Sequence, residues 1–188
     1  MGRWEPDARG RLERAALELY GERGFEQTTV AEIARRAGLT ERTFFRHFAD
    51  KREVLFGGTA RLRDLLAEAA EKAPASASPI EAVGAGLQAG AGMLGEHHER
   101  ARRRHAIIAD HAELRERELI KMAALADALA GALRRRGVPD LTASLAAEAG
   151  IAAFRVAFER WVADPGRPDL ARLVRQALDE LKAVTADG

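Results

Sequence analysis

TVAEIARRAGLTERTFFRHFADK, residues 29–51, decides how this chain folds. Ile33, Ala34 and Ala37 recur at three- and four-residue spacing, so they line one face of a short helix. Gly38 comes where that helix must stop, because glycine adopts the left-handed conformation past a helix end at little cost. Thr40 is then placed to cap a second helix. In that second helix Phe44 and Phe48 lie four apart and share an apolar face. Glu41, Arg42, Phe45, Arg46 and His47 are left pointing elsewhere. A short helix, a glycine turn and a second helix with polar and cationic tips make a helix-turn-helix, whose second helix suits a DNA major groove.

Outward from this stretch, Leu12, Ala15, Ala16, Leu19 and Tyr20 form one helical stripe over about 7–23, a brace for the two helices that follow. Gly24 ends it, and Phe25 is positioned to tuck back against the core. Thr29 and Glu32 form an S/T-x-x-E capping box, and Asp50 and Glu53 repeat the pattern in D-x-x-E form. Such helix beginnings have two readings, capping alone or capping plus a phosphate on the free N–H groups.

Taken together, Gly24-Phe25, Thr28-Thr29-Val30, Ile33-Ala34, Ala37-Gly38-Leu39, Thr43-Phe44-Phe45-Arg46-His47-Phe48 and Lys51 resemble the DNA-binding domain of the TetR family of transcriptional regulators. The resemblance covers about residues 9–56. Beyond it the chain is similar to the family only in its length and helical plan. The resemblance implies an all-α protein of about nine helices, with a helix-turn-helix domain over 1–50 and a ligand-binding and dimerisation bundle over 51–188. It also implies a homodimer built by the last two helices, and a ligand pocket whose occupation resets the spacing of the two recognition helices and releases DNA. Base contacts are expected from Glu41, Arg42 and Phe45, as Arg pairs with guanine, Glu accepts from cytosine and Phe touches a thymine methyl. Phosphate contacts are expected from Thr29, Thr43, His47 and Lys51. Where many relatives have tyrosine this chain has Phe45, so a hydroxyl contact to phosphate is lost there.

Composition sets bounds on everything else. The chain has 188 residues, 47% of them hydrophobic, and a net charge of only +1. Residues 1–52 carry +2 and the remainder −1, so an argument for DNA rests on where charge stands rather than on its total. No cysteine is present, so disulfides and thiolate metal sites are excluded. The charge spacing and the polar N-terminus predict a cytoplasmic protein with no membrane partner. Residues 1–8 read as a loose arm.

A long helix is expected from Lys51 to about Lys72, running out of the DNA-binding domain. APASASP, residues 73–79, reads as a loop. Five glycines, Gly84, Gly86, Gly90, Gly92 and Gly95, then interrupt an apolar segment at about 0.8–1 kcal/mol each in a helix interior. They mean either close helix packing or room for a ligand. Arg100 to His105 read as a solvated basic face. His97, His98, His105 and His111 lack metal-ligand spacing, so neither metal nor cofactor is expected. A helix reaches Arg136 with Met122, Leu125, Leu129 and Leu133 on one face, and Gly137 and Pro139 end it. Over 141–163 apolar residues occupy two faces: Leu145, Ala149, Ala152 and Val156 on one, and Ile151, Phe154, Phe158, Trp161 and Val162 on the other. Two faces require two partners. The last helix carries a stripe from Leu170 to Val184.

For the pocket that the resemblance implies, the candidates are Leu62, Leu66, Met93, Leu94, Ile108, His111, Met122, Leu125 and Phe154, which suit a mostly apolar ligand, with Arg102 or a histidine to meet an acidic group. The dimer interface is expected from Phe158, Leu170, Val174, Leu178 and Leu181. No glycine phosphate loop, nucleophile elbow or metalloprotease helix occurs, so the sequence predicts no enzyme. The competing reading is a helical interaction module that does not touch DNA. The cations at Arg42, Arg46 and His47 argue against it.

Overall fold

A computed structural model describes residues 7–166 and 168–186. The expected arm therefore lies outside the described residues as far as residue 6. Among the described residues there are nine α-helices, one 3-10 turn and no strand: α1 Ala8–Arg23, α2 Val30–Arg36, α3 Glu41–His47, the 3-10 turn Glu53–Phe56, α4 Thr59–Glu71, α5 Pro79–Gly95, α6 His98–Ala109, α7 Ala112–Arg135, α8 Asp140–Ala163 and α9 Leu170–Ala186. The fold is all-α, as the helical periodicity requires.

The chain forms two compact units, and their boundaries differ from the expected 1–50 and 51–188. One holds the chain as far as Gly58 together with Arg103–Leu114. The other holds Thr59–Arg102 and the chain from Arg115 onward. The expected continuous helix from Lys51 does not form. Gly57 and Gly58 sit between the 3-10 turn and α4, and two glycines in succession withdraw about 2 kcal/mol of helix propensity at that point.

In the smaller unit, α1, α2 and α3 enclose Leu12, Ala16, Leu19, Tyr20, Phe25, Ile33, Ala34, Phe44 and Phe48. Val54 and Leu55 of the 3-10 turn close this core from one end, and Ile108 and Leu114 join it from the α6–α7 corner. Arg104 Nε donates to the Leu55 carbonyl, and Arg52 pairs with Glu113 at 3.1 Å. Ile108 and His111, expected in a ligand pocket, thus belong to the smaller unit. The His111 ring meets the Phe25 ring edge-on at 5.1 Å.

The larger unit is organised around α5. Ser78 and Glu81 make its capping box, with Pro79 at the first helical position, where its missing N–H costs nothing. Three of its glycines are close-approach positions. A Cβ at Gly86 would stand 2.6 Å from the Leu66 carbonyl oxygen, one at Gly90 2.7 Å from Leu66 Cδ1, and one at Gly84 3.3 Å from Leu178 Cδ1. Gly92 and Gly95 face open space. At Gly90, therefore, Leu62 and Leu66 stand in the space that the missing side chain leaves. Gly150 of α8 repeats the device, since its Cβ would meet Val83 Cγ1 at 2.3 Å. At the far end Gly137 takes φ 85° and ends α7. The neighbouring Arg136 donates to the carbonyls of Glu71, Ala73 and Pro74, which caps the C-terminus of α4.

The expected dimer stripe is mostly core. Leu170, Val174 and Leu178 are buried within the chain against α5 and α8, and Phe158 and Leu181 are half-buried on the same cluster. The second face of α8 is the one left without a partner. Leu141 is 72% exposed, Leu145 62% and Val156 49%, and Ala152 is exposed between them. By length and composition α8 is apolar enough to cross a membrane. Its other face, carrying Ala143, Ala147, Gly150, Phe154, Ala157 and Trp161, is buried in the core.

Candidate nucleic-acid interface

The interface is built from three short helices, each fixed by local chemistry. Thr29 caps α2 with a reciprocal box: Glu32 N donates to Thr29 Oγ1, and Thr29 N donates to Glu32 Oε2 at 2.9 Å. Backbone and side-chain hydrogen bonds from Thr29 hold the Glu32 carboxyl below its usual range. Gly38 takes φ 67° and turns the chain, and Leu39 N returns to the Ala34 carbonyl at 2.8 Å. Thr40 then accepts from Thr43 N to open α3.

The sides of α3 separate by chemistry. Phe44 and Phe48 are buried, whereas Phe45 is 55% exposed and Glu41, Arg42 and Arg46 are exposed with it. Among the described residues Arg42 and Arg46 have no ion-pair or hydrogen-bond partner, so both guanidinium groups face solvent uncommitted. Arg36 on α2 is different, since Glu22 and Glu18 of α1 hold it at 2.7 and 3.3 Å. Those hydrogen bonds, chiefly the ones Arg36 donates to Glu22, push its basicity up and commit it to bracing α1. Thr43 and His47 are half-buried, and the His47 Nε2 is covered and without a partner among the described residues.

Lys51 has a structural role that its place in the motif does not disclose. Its ammonium donates to the carbonyls of Phe25, Glu26 and Thr28 at 2.8, 3.1 and 3.1 Å and stands 4.5 Å from the Phe25 ring centre. An ammonium has three hydrogens. A phosphate reaches this one only by displacing a carbonyl. Tyr20 Oη donates to the Lys51 carbonyl at 2.6 Å. Burial, helped by Asp50, pushes the phenol's pKa up and keeps it a donor. Thr28, part of the motif, is buried and donates to the Gly24 carbonyl at 2.8 Å. Lys51, Tyr20 and Thr28 therefore fix the angle at which α3 is presented.

Known proteins carry the same arrangement. The pattern described as "Bacterial regulatory proteins, tetR family" matches residues 13–56, and that described as "MftR C-terminal domain" matches residues 77–186, more than half of the chain. The chain belongs to the TetR family. The HTH-type transcriptional regulator TcmR of Streptomyces glaucescens is 38% identical over 86 residues, which make up 46% of this chain and 38% of that protein. The uncharacterized HTH-type transcriptional regulator Rv2250c of Mycobacterium tuberculosis is 38% identical over 63 residues, a third of each chain. The matched stretch thus spans well under half the length of these curated relatives. Among solved structures, SmeT in complex with triclosan superposes with a TM-score of 0.68 at 24% identity over 94% of this chain and 90% of its own. FadR of Thermus thermophilus in complex with lauroyl-CoA gives 0.60 at 26% identity, with 92% of each chain covered. SmeT, the repressor of the Stenotrophomonas maltophilia multidrug efflux pump SmeDEF, gives 0.62 at 26% identity, over 94% of this chain and 89% of its own.

Of the residues expected to meet a ligand, this TetR-family protein brings seven into one apolar cluster of its larger unit. Leu62, Leu66, Leu125 and Phe154 are buried there, and Met93, Leu94 and Met122 pack against it. Among the described residues no group of three or more His, Asp or Glu side chains is arranged to hold a metal. Arg102 is committed to Glu99 at 3.2 Å. The expected contacts did not include Arg46, which is exposed on α3 beside Phe45. Its signal was present, as an uncommitted cation one residue from Phe45 and one helical turn from Arg42.

Proposed function

We propose that this protein is a cytoplasmic homodimeric transcriptional regulator, a repressor that binds a double-stranded operator through α3 and is released by a small, mostly apolar molecule. The observation that carries the reading is the division of α3, with Phe44 and Phe48 sealed in the core and Glu41, Arg42, Phe45 and Arg46 exposed, Phe45 touching only the edge of the Phe44 ring among the aromatic rings. A module that did not touch DNA has no use for two uncommitted guanidinium groups beside an exposed phenylalanine.

Glu41, Arg42 and Phe45 read bases, and Thr29, Thr43 and Arg46 hold phosphates. Lys51 braces the segment that follows α3, and His47, the last residue of α3, packs beside Phe48. The ligand enters the cluster of Leu62, Leu66, Met93, Leu94, Met122, Leu125 and Phe154. Beside Gly90 it must push Leu66 aside. Triclosan and lauroyl-CoA, bound by SmeT and by FadR, are the first compounds to try. The dimer forms through the outer stripe of α8, Leu141, Leu145, Ala152 and Val156, which gives a two-fold axis a self-complementary apolar patch.

Selection of bound sequences from a random DNA pool tests the reading. Arg42→Ala is expected to weaken the selected site by about 1–3 kcal/mol and relax preference at one base pair. Arg46→Ala is expected to weaken all DNA alike and lower the salt slope by about one per half-site. Recovery of no preferred sequence by the unaltered protein sinks the proposal.

A further inference from the structure

The outer face of α8 carries a pattern of charge as well as of apolar residues. Leu141, Leu145, Ala152 and Val156 are exposed on it, Glu148, Arg155, Glu159 and Ala163 are exposed among them, and Ala149 is half-buried at its edge. At 3.6 residues per turn all of these fall within about 120° of the helix surface. Among the described residues neither Glu148 nor Arg155 makes a hydrogen bond or an ion pair within the chain.

The pattern is symmetric about one level of the helix. Glu148 and Arg155 lie on the same side of the stripe and are centred between 151 and 152. Leu145 and Val156 lie on the other side and are centred between 150 and 151, as are Ala149 and Ala152. A two-fold axis crossing α8 at this level lays a second copy of the helix antiparallel on the first. Glu148 of each copy then comes level with Arg155 of the other, and Leu145 with Val156. Glu159 comes level with Ser144 and meets no like charge. The small side chains of Ala149 and Ala152 stand at the crossing, where they let the helix axes approach to the about 8–10 Å of a packed pair. A parallel pairing sets Glu148 on Glu148 and Arg155 on Arg155, and a slide of one turn takes each charge away from its partner.

We infer that Glu148 and Arg155 select a second copy of this chain as the partner of α8 and fix its antiparallel register. The inference rests on the reading of the outer α8 face as the dimer contact, and adds to it the pair that decides orientation and self-recognition. An exposed ion pair contributes little attraction, whereas like charges held together beside an apolar contact repel, so the pair acts chiefly by excluding other alignments.

Charge reversal tests this. In Glu148→Arg arginine meets arginine at both ends of the contact, and in Arg155→Glu glutamate meets glutamate. Each variant alone is expected to raise the dimer dissociation constant at least about tenfold in sedimentation equilibrium at low salt. Mixed in equal amounts, the two restore both opposite-charge pairs, and their heterodimer is expected to form within about threefold of the unaltered affinity. Both positions are exposed, and circular dichroism checks the fold. A second measurement leaves the charges alone. The chain has no cysteine, so Ala152→Cys, beside the axis, is expected to crosslink to its own copy under mild oxidation. Leu141→Cys, about 30 Å from its copy at this register, is expected not to. Single variants as dimeric as the unaltered protein, or a mixture no more dimeric than its components, overturn the inference. So does crosslinking at 141 in preference to 152. If Leu145→Glu stays dimeric, the α8 face itself is lost as the contact. If Leu145→Glu is a monomer while both charge variants dimerise, the face stands and the pairing falls.

Discussion

Helices α3 and α9 are both amphipathic, yet their apolar residues serve opposite ends. On α3 the core is satisfied by Phe44 and Phe48, so the extra aromatic, Phe45, is left outside for a partner. On α9 the unbroken stripe of Leu170, Val174 and Leu178 suggests an interface and is instead spent within the protomer. The face that remains unpartnered is on α8. An apolar stripe shows that a partner is required, but not whether that partner is the same chain. The excess over what the core needs is what marks a surface for something else.

The sharpest break of this comparison sets α9 against α8. Val174→Glu is expected to cost more than about 4 kcal/mol, because it puts an unpaired charge into a core, and to leave little folded protein in a urea titration. Leu145→Glu is expected to change the stability of the folded protomer by no more than about 0.5 kcal/mol while sedimentation shows a monomer. If Leu145→Glu sediments as the unaltered protein does, the outer face of α8 is not the interface.

Within α3 the same contrast holds at one-residue resolution. Phe44→Ala is expected to lose about 3–5 kcal/mol of stability. Phe45→Ala is expected to stay within about 0.5 kcal/mol and to bind its operator more weakly. Comparable thermal melts for the two variants would show that α3 is not divided as described.

Glycines in α5 sharpen the lesson about the larger unit. Gly86→Ala drives a Cβ onto the Leu66 carbonyl and is expected to cost about 1–3 kcal/mol. Gly92→Ala meets nothing and is expected to stabilise by about 0.5–1 kcal/mol. Matching shifts in midpoint for the two would remove close packing as the reason for Gly86.

The smallest effect concerns the α2 cap. Hydrogen bonds from Thr29 depress the Glu32 carboxyl in the folded state. A depressed carboxyl contributes stability above its unfolded value of about 4.3, and this is lost as pH falls through the folded value. Glu32→Gln is therefore expected to lower the melting temperature near neutral pH, with the difference from the unaltered protein shrinking in acid. A difference that grows in acid contradicts the assigned sign.

The sequence alone determined the all-helical class, the helix-turn-helix over 29–51, its caps at Thr29 and Thr40 and the turn at Gly38. Each rests on interactions within a few residues, where spacing and side-chain type are sufficient. It also identified two apolar faces on α8. Only the tertiary structure decided which face was core, that Ile108 joins the smaller unit's core and His111 packs on Phe25, that Lys51 binds three carbonyls, and that Gly84, Gly86 and Gly90 admit neighbouring helices. These outcomes depend on which distant element arrives at a given face, and helical periodicity carries no information about that. The break at Gly57–Gly58 lay between the two. Both glycines were visible in the sequence, but a helix end is decided by whether packing compensates for lost propensity, and there it did not.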